Sequence, residues 1–462
     1  MKYYDQLPAY KIQVNTKNTG DEVQTWRACI GQGGINSLPL TKSTISAISK
    51  LNLPKIRIFL QQYLDVLQLD GTYNWTKIDR YINSFHETGS SIVAAFCLKP
   101  PLLFPEIDER IIFPNDQTAW EKMVEDIARR YINIVTHWEI GNETDIGEVG
   151  GCPYLIFNDD QYNQFYKITA AALQHGNPKA KIGGSASSLA LEGSQLPSLI
   201  EFCRKGHAPL DFISWHVYSD DPKVHVSIIH RYKKLLENWP GQKPESYVTE
   251  WSVSFPSETG SVVETANDPF RTASIFSSLC RYFDEGIDYS FYYHLCDNTF
   301  YHNEFRPFFN NLDIMDRDWN QFPHRFGIFS MDGKARPHYQ LWCMLRSLSG
   351  SWLAIESENP DLHSIGCING HTIQVMTANF NIHQTQPMIA DICFINLDPG
   401  VYQIIVERIY GMENMSDDGL KLNPIEKREI STTGNWRCPI YLAPNAVAKV
   451  SINKINDASL FI

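Results

Sequence analysis

The run "YINIVTHWEI" at 131–140 is apolar and rich in β-branched and aromatic residues, and it ends in an amide beside an acid, Asn142-Glu143. A strand that simply turns back into solvent has no use for that pair. A second carboxylic acid, Glu250, closes a similar run, Ser246-Tyr-Val-Thr-Glu-Trp-Ser252. Other runs carry Arg57, then His216 and Tyr218, then Tyr293, His294 and Asp297 in or just after their ends, and Trp251 follows Glu250. Paired carboxyls with hydrogen-bonding and aromatic neighbours are the equipment of glycoside hydrolysis. One protonates the leaving oxygen, and the other attacks the anomeric carbon or activates water. The chain also holds 11 Trp, 22 Tyr and 24 Phe, rings on which sugar C–H faces stack.

These residues act together only if the strands that present them open onto one face. Short apolar runs alternate with segments of helical period. Lys55–Leu60 reads as a strand, and Ile78, Ile82 and Phe85 recur at helical spacing. Ser91–Leu98 is the next strand. Asp116 then caps a helix whose buried face is Trp120, Val124, Ile127 and Tyr131. The alternation continues through strands at 131–140, Lys181–Ala186, Asp211–Tyr218, Ser246–Ser252 and Tyr289–Leu295, and Pro337 opens a last helix. With a first strand placed near Gly31–Asn36, eight strand–helix units fill residues 30–349. Such alternation implies parallel pairing, and eight units fit a closed (β/α)8 TIM barrel whose site lies at the C-terminal ends of its strands. An open doubly wound sheet is the runner-up, but no glycine-rich phosphate fingerprint follows any strand.

Beyond Gly350 the texture changes to short strands between turn residues, which predicts an appended β-sandwich over 350–462. Residues 1–29 form an N-terminal segment whose strand Tyr10–Val14 is expected to pair with it. The net charge of −12 argues against nucleic acid as a partner. No window approaches the ~18 apolar residues of a membrane helix. The first eight residues lack the apolar stretch of a secretory signal, so a cytoplasmic protein is expected unless a signal has been removed. The ten cysteines form no C-x-x-C pair and read as small buried apolar residues in a reducing compartment. The fourteen histidines are dispersed without an H-x-x-x-H, so neither metal nor cofactor is expected. A carbohydrate is the partner that the carboxyls imply, and nothing in the sequence sets an oligomeric state.

"WEIGNE", followed 107 residues later (250 − 143) by the acid of "YVTEW" and with "DFISWHVYS" between, resembles the clan of retaining glycosidases built on (β/α)8 barrels. Within that clan the likeness is to glycoside hydrolase family 39, which includes β-xylosidases and α-L-iduronidases. It extends to "GTYNWTKIDRYINSFHETG" and to "FGIFSMDGKARPHYQLWCMLRSL", similar to the family's last barrel helix. The resemblance implies that Glu143 is the general acid/base and Glu250 the nucleophile. Asn142 would bond the sugar 2-hydroxyl, and His216 and Tyr218 match a His-x-Tyr that lines the sugar subsite and orients the nucleophile. Two positions depart from the family: Tyr293 stands where a Trp is usual, and Thr144 where a Pro follows the acid. Both bear on which sugar is taken. Physically, a retaining enzyme needs carboxyls ~5 Å apart. Glu250 must be ionised, which an inward Arg57 favours. Glu143 must start protonated, held so by desolvation and by the negative charge opposite.

Blander readings stand beside these. Glu139 is mid-strand and is expected to be a structural partner of a Lys or Arg. Glu148, Glu245 and Glu258 read as exposed loop acids. Trp251 is divided between sugar contact and barrel wall. The loop "NTFYHNEFRPFFNNLDIMDRDWNQFPHRFG" at 298–327 is read as a wall of the sugar pocket. Three alternatives to a β-xylosidase-like enzyme stay open: a barrel that holds carbohydrate without turnover, a retaining glycosidase of another family in the clan, and a metal- or flavin-dependent barrel enzyme.

Overall fold

The computed structural model describes residues 6–33, 37–189, 193–254, 269–314, 320, 325–383 and 385–455. After a long strand, β1 (Ala9–Glu22), the chain enters a closed barrel of parallel strands. These are β2 (Ala28–Gly31), β3 (Lys55–Gln61), β4 (Ser91–Cys97), β5 (Val135–Ile140), β6 (Lys181–Ser187), β7 (Phe212–Tyr218), β8 (Glu245–Ser252) and β9 (Tyr289–Tyr293), with β9 pairing back onto β2. The first barrel strand is therefore Ala28–Gly31, upstream of the Gly31–Asn36 expected from sequence. Its four residues are all buried, so it shows no alternation to read. β5 starts at Val135, because Tyr131 caps the preceding helix instead of opening the strand.

Helices follow the strands and face them with apolar stripes. In Gln117–Arg130 the buried residues Trp120, Met123, Val124, Ile127 and Ala128 fall at 3–4 residue spacing, and the Asp116 side chain accepts the Ala119 N–H at 3.0 Å. Among the described residues no helix is long and apolar enough to cross a membrane.

Inside the barrel the lower layer is an apolar plug of Cys29, Val93, Phe212, Tyr247 and Phe291. The Phe212 and Tyr247 rings stack at 4.6 Å. Above the plug the interior turns polar, with Arg57 from β3 and Glu139 from β5 joined at 2.7 Å. This layering is what lets a charged site sit on a dry, rigid base.

One irregularity in β8 decides which side chains reach that site. Val248 pairs with Trp215 and Glu250 with His216, while on the other side Val248 pairs with Ser290 and Trp251 with Tyr292. Between Val248 and Trp251, β8 thus holds one residue more than either neighbour, a β-bulge. Tyr247 lies in the interior plug, so strict alternation would aim Trp251 inward and Glu250 at the helices. The extra residue reverses this.

β1 also joins the C-terminal strands, pairing antiparallel with β10 (Ser351–Ser357) and parallel with β13 (Met388–Ile395). The other members of this nine-stranded sheet are β11 (Leu362–Asn369), β12 (Thr372–Asn379), β14 (Gly400–Ile409), β15 (Glu426–Thr432), β16 (Trp436–Leu442) and β17 (Val447–Ile455). The order is β15-β14-β17-β12-β11-β10-β1-β13-β16. Ile404 and Val406 of β14 share one core with Ile392 and Phe394 of β13, although five strands lie between them in that order. The sheet therefore folds over itself into two layers, sandwich-like. The helix Pro269–Glu285 leans on it through Phe270–Phe380 (5.3 Å) and Phe283–Trp352 (5.8 Å) ring contacts.

Candidate active site

Glu143 and Glu250 meet over the mouth of the barrel. An oxygen of each and a ring nitrogen of His216 all lie within 4.8 Å of one another. Each carboxyl is held by a different set of partners.

Glu250 stands just past the β8 bulge and is bonded on both oxygens. Arg57 Nη1 donates to Oε2 at 3.0 Å, and the Tyr218 hydroxyl donates to Oε1. Arg57 is a buried fork. Its Nε donates to Glu139 at 2.7 Å and its Nη2 to Asn142 Oδ1 at 2.6 Å. Burial works against the guanidinium's charge, but Glu139 and Glu250 outweigh it and raise its pKa above the ordinary value. Three strands, β3, β5 and β8, are tied together by this one side chain.

Glu143 lies three residues beyond β5 with a left-handed backbone, φ 50°, which a non-glycine residue adopts at a cost of about 1 kcal/mol or more. The strain is held by its N–H bond to the Ala186 carbonyl at 2.9 Å. Its Oε1 is 2.7 Å from His216 Nδ1. Gly150 makes room for the other oxygen: a Cβ there would lie 2.1 Å from Glu143 Oε2. Burial pushes the Glu143 carboxyl up to about 8, and the Asp145 charge adds to this. The like charge that raises it is thus its loop neighbour, where sequence reasoning expected the acid opposite. His216, fully buried, is pushed down to about 4 by that burial, so it is neutral near pH 7.

The remaining expected site residues divide. The Asn142 oxygen is engaged by Arg57, and its NH2 donor has no protein partner among the described residues. Tyr293 ends β9, its ring stacked on His294 at 4.3 Å and edge-on to Tyr218 at 6.0 Å. A Cβ at Gly33 would meet the Tyr293 ring at 2.0 Å, so only glycine permits that close approach. His216 and Arg57 are buried, at 0% and 2% exposure, His216 against Glu143 and Arg57 against Glu250. Trp251, at 1% exposure, packs in the barrel wall against Tyr282 (5.1 Å) and Tyr292 (5.5 Å), because the bulge turns it outward. His294 and Asp297 face each other at 3.3 Å, and Asp297 also accepts from Arg336 and from the Gly327 N–H at 2.9 Å. Burial opposes the Asp297 charge, but His294 and Arg336 hold its carboxyl well below the usual range. This pair fastens the segment after β9 and does not reach the two glutamates through any hydrogen bond among the described residues.

Of the other acids, Glu139 is the partner of Arg57. Glu148 is buried, not exposed, and accepts the Asn310 and Asn311 N–H groups at 3.0 and 2.8 Å, which anchors part of the 298–327 loop. Glu245 is half-buried and paired with Lys181 at 2.6 Å. Glu258 and residues 315–319 and 321–324 of that loop lie outside the described residues. Sequence reasoning missed Asp145 and Gly150. An acid two residues after Glu143 was the available signal for the first; nothing local announced the second. Glu143, His216 and Glu250 have donor types that suit a metal ion, but Glu250 already has a guanidinium and a phenol on its oxygens.

The model of the glycosyl hydrolases family 39 matches residues 10–395, most of the chain. The chain belongs to that family. It is 24% identical over 293 residues to a β-xylosidase of Caldicellulosiruptor saccharolyticus, covering 58% of this chain and 54% of that enzyme. The chain therefore matches only about half of that relative's length. A β-xylosidase of Geobacillus stearothermophilus is 22% identical over 384 residues, covering 75% and 73%. Among solved structures, a monomeric β-xylosidase from Caulobacter crescentus CB15 superposes with a TM-score of 0.75 at 16% identity, covering 96% of this chain and 99% of that one. That likeness, over nearly the whole of both chains, carries the fold.

Proposed function

We propose that this family 39 member is a retaining glycosidase that removes a terminal neutral sugar of the β-xylose type by double displacement. The observation that supports this best is the approach of the Glu143 and Glu250 oxygens to within 4.8 Å, the separation at which a carboxylate can bond directly to the anomeric carbon. An inverting enzyme needs roughly 6.5–9.5 Å, enough to admit a water between its carboxyls.

In this reading a Glu250 oxygen attacks the anomeric carbon as the bond to the leaving oxygen breaks, and Glu143 gives that oxygen its proton. Water then attacks the glycosyl ester, Glu143 takes the water's proton, and Glu250 leaves as carboxylate. Arg57 and Tyr218 keep Glu250 ionised and aimed. His216 fixes the Glu143 carboxyl, and burial beside Asp145 keeps it protonated at neutral pH. In the same reading the Asn142 amide donates to the sugar 2-hydroxyl, a bond that strengthens as charge develops at the ring. The β-xylose type is argued from the relatives' activity.

A panel of nitrophenyl glycosides identifies the sugar, and NMR of the first-formed anomer tests the mechanism. Retained configuration is expected, and inverted product would refute the double displacement. Glu250→Ala should lose turnover on that substrate, with azide restoring some and yielding the glycosyl azide of inverted configuration.

A further inference from the structure

One cation in the barrel is shared between two carboxylates. Arg57 Nε donates to Glu139 at 2.7 Å and Nη1 to Glu250 at 3.0 Å, and among the described residues neither Arg57 nor Glu139 makes another ion pair. Glu139 is fully buried and Arg57 is 2% exposed. The second oxygen of Glu139 has no hydrogen-bond partner among the described residues, so Arg57 alone holds that charge. Glu250 by itself would balance the guanidinium. The site thus buries one carboxylate more than its cation requires, and a buried charge costs desolvation.

The balance changes over a double displacement. When a Glu250 oxygen bonds to the anomeric carbon, the carboxylate becomes a neutral ester, and it regains its charge when water cleaves that ester. In the ester Glu139 is the one anion left on Arg57, and without it a buried guanidinium would stand unpaired. In the free enzyme the same negative charge opposes the pull of Arg57 on Glu250, which keeps the attacking oxygen more reactive. The other ionisable groups near Glu250 are Tyr218, His216, Glu143 and Tyr293, and none of them bonds the guanidinium among the described residues.

We propose that Glu139 is a positioning residue acting through Arg57: it holds the guanidinium in place while Glu250 is esterified, and its charge sets the balance between forming and breaking the glycosyl ester. This rests on the assignment of Glu250 as nucleophile proposed above. Glu139→Gln keeps an acceptor for Arg57 Nε and removes the charge, leaving the cation to Glu250 alone. Glu250 then becomes the poorer nucleophile and the better leaving group, so the two steps respond in opposite directions.

The test separates the steps with the 2-deoxy-2-fluoro dinitrophenyl glycoside of the sugar released fastest in the nitrophenyl panel, whose ester accumulates because fluorine slows both. In Glu139→Gln the rate of inactivation should fall about three- to tenfold, and the rate of reactivation by water, once excess reagent is removed, should rise about three- to tenfold, one pKa unit being expressed in part in each step. Glu139→Asp keeps the charge and should leave both rates within about threefold of wild type, whether or not the Gln variant folds. Both rates falling together in the Gln variant, or neither moving, overturns the proposal, because a merely structural partner of Arg57 has no means of speeding reactivation. Rates that split in the Asp variant as well overturn the argument from charge. Wild type that forms no ester, or forms it on a residue other than Glu250 by peptide mapping, overturns the nucleophile assignment and this proposal with it.

Discussion

Replacing Asp145 by Asn tests what keeps Glu143 protonated. The fold lifts this carboxyl from an ordinary 4.5 to about 8, with burial as the larger cause and Asp145 as the second. Removing the second cause should lower the value by about one pH unit, equivalent to about 1.4 kcal/mol. Asn keeps the size and one acceptor for the Ser188 and Leu189 amides while removing the charge. The wild-type alkaline limb of kcat/KM should fall near pH 8, and that of Asp145→Asn near 7. At pH 8 wild type is then about half protonated and the variant about one-eleventh, a fall of about fivefold, with the values near pH 5.5 unchanged. The substrate must carry a poor leaving group, such as an alkyl alcohol, because nitrophenolate departs without a proton and hides the limb. Thermal unfolding at pH 6 and pH 9 checks that the variant folds. A limb that stays within 0.2 pH unit of wild type, or a loss equal at every pH, would refute the electrostatic argument.

Two further outcomes follow from the same bonds. The Glu143 carboxyl is neutral in the fold between about 4.5 and 8, where the unfolded chain ionises. Its contribution to stability is full below the lower value and is lost as pH rises through the higher one. Glu143→Gln, which cannot ionise, should therefore melt progressively above wild type as pH is raised from 5 to 8.5, by at most about 4 kcal/mol or several degrees; a difference independent of pH would count against a buried neutral acid. Tyr218→Phe removes one of the two donors on Glu250. It should lower kcat by about 10- to 100-fold, the worth of a bond to a charged group, with KM within about threefold; an unchanged kcat would separate Tyr218 from the chemistry.

The alternation of apolar runs and helical stripes was enough to place eight units in a closed barrel, because a strand buried on both faces and a helix buried on one leave different periods in the chain. It also put Asn142, Glu143 and Glu250 at strand ends, where a barrel collects its site. What alternation does not carry is an extra residue. The β8 bulge exchanges the directions of Glu250 and Trp251, and it is visible only when β7 and β9 are laid beside it. Partnership was likewise undecided in sequence. Arg57 reads as one inward cation, yet it binds Glu139, Asn142 and Glu250 at once, residues 82, 85 and 193 positions away along the chain. His216 was expected against the sugar and Glu148 in solvent; both are buried, one against Glu143 and one beneath a loop. The residue types and their strand ends came from local pattern, which a short window of chain contains. Which atoms touch, and so which carboxyl is protonated and which is charged, depends on desolvation and on neighbours brought in from distant strands, and only the closed barrel sets those.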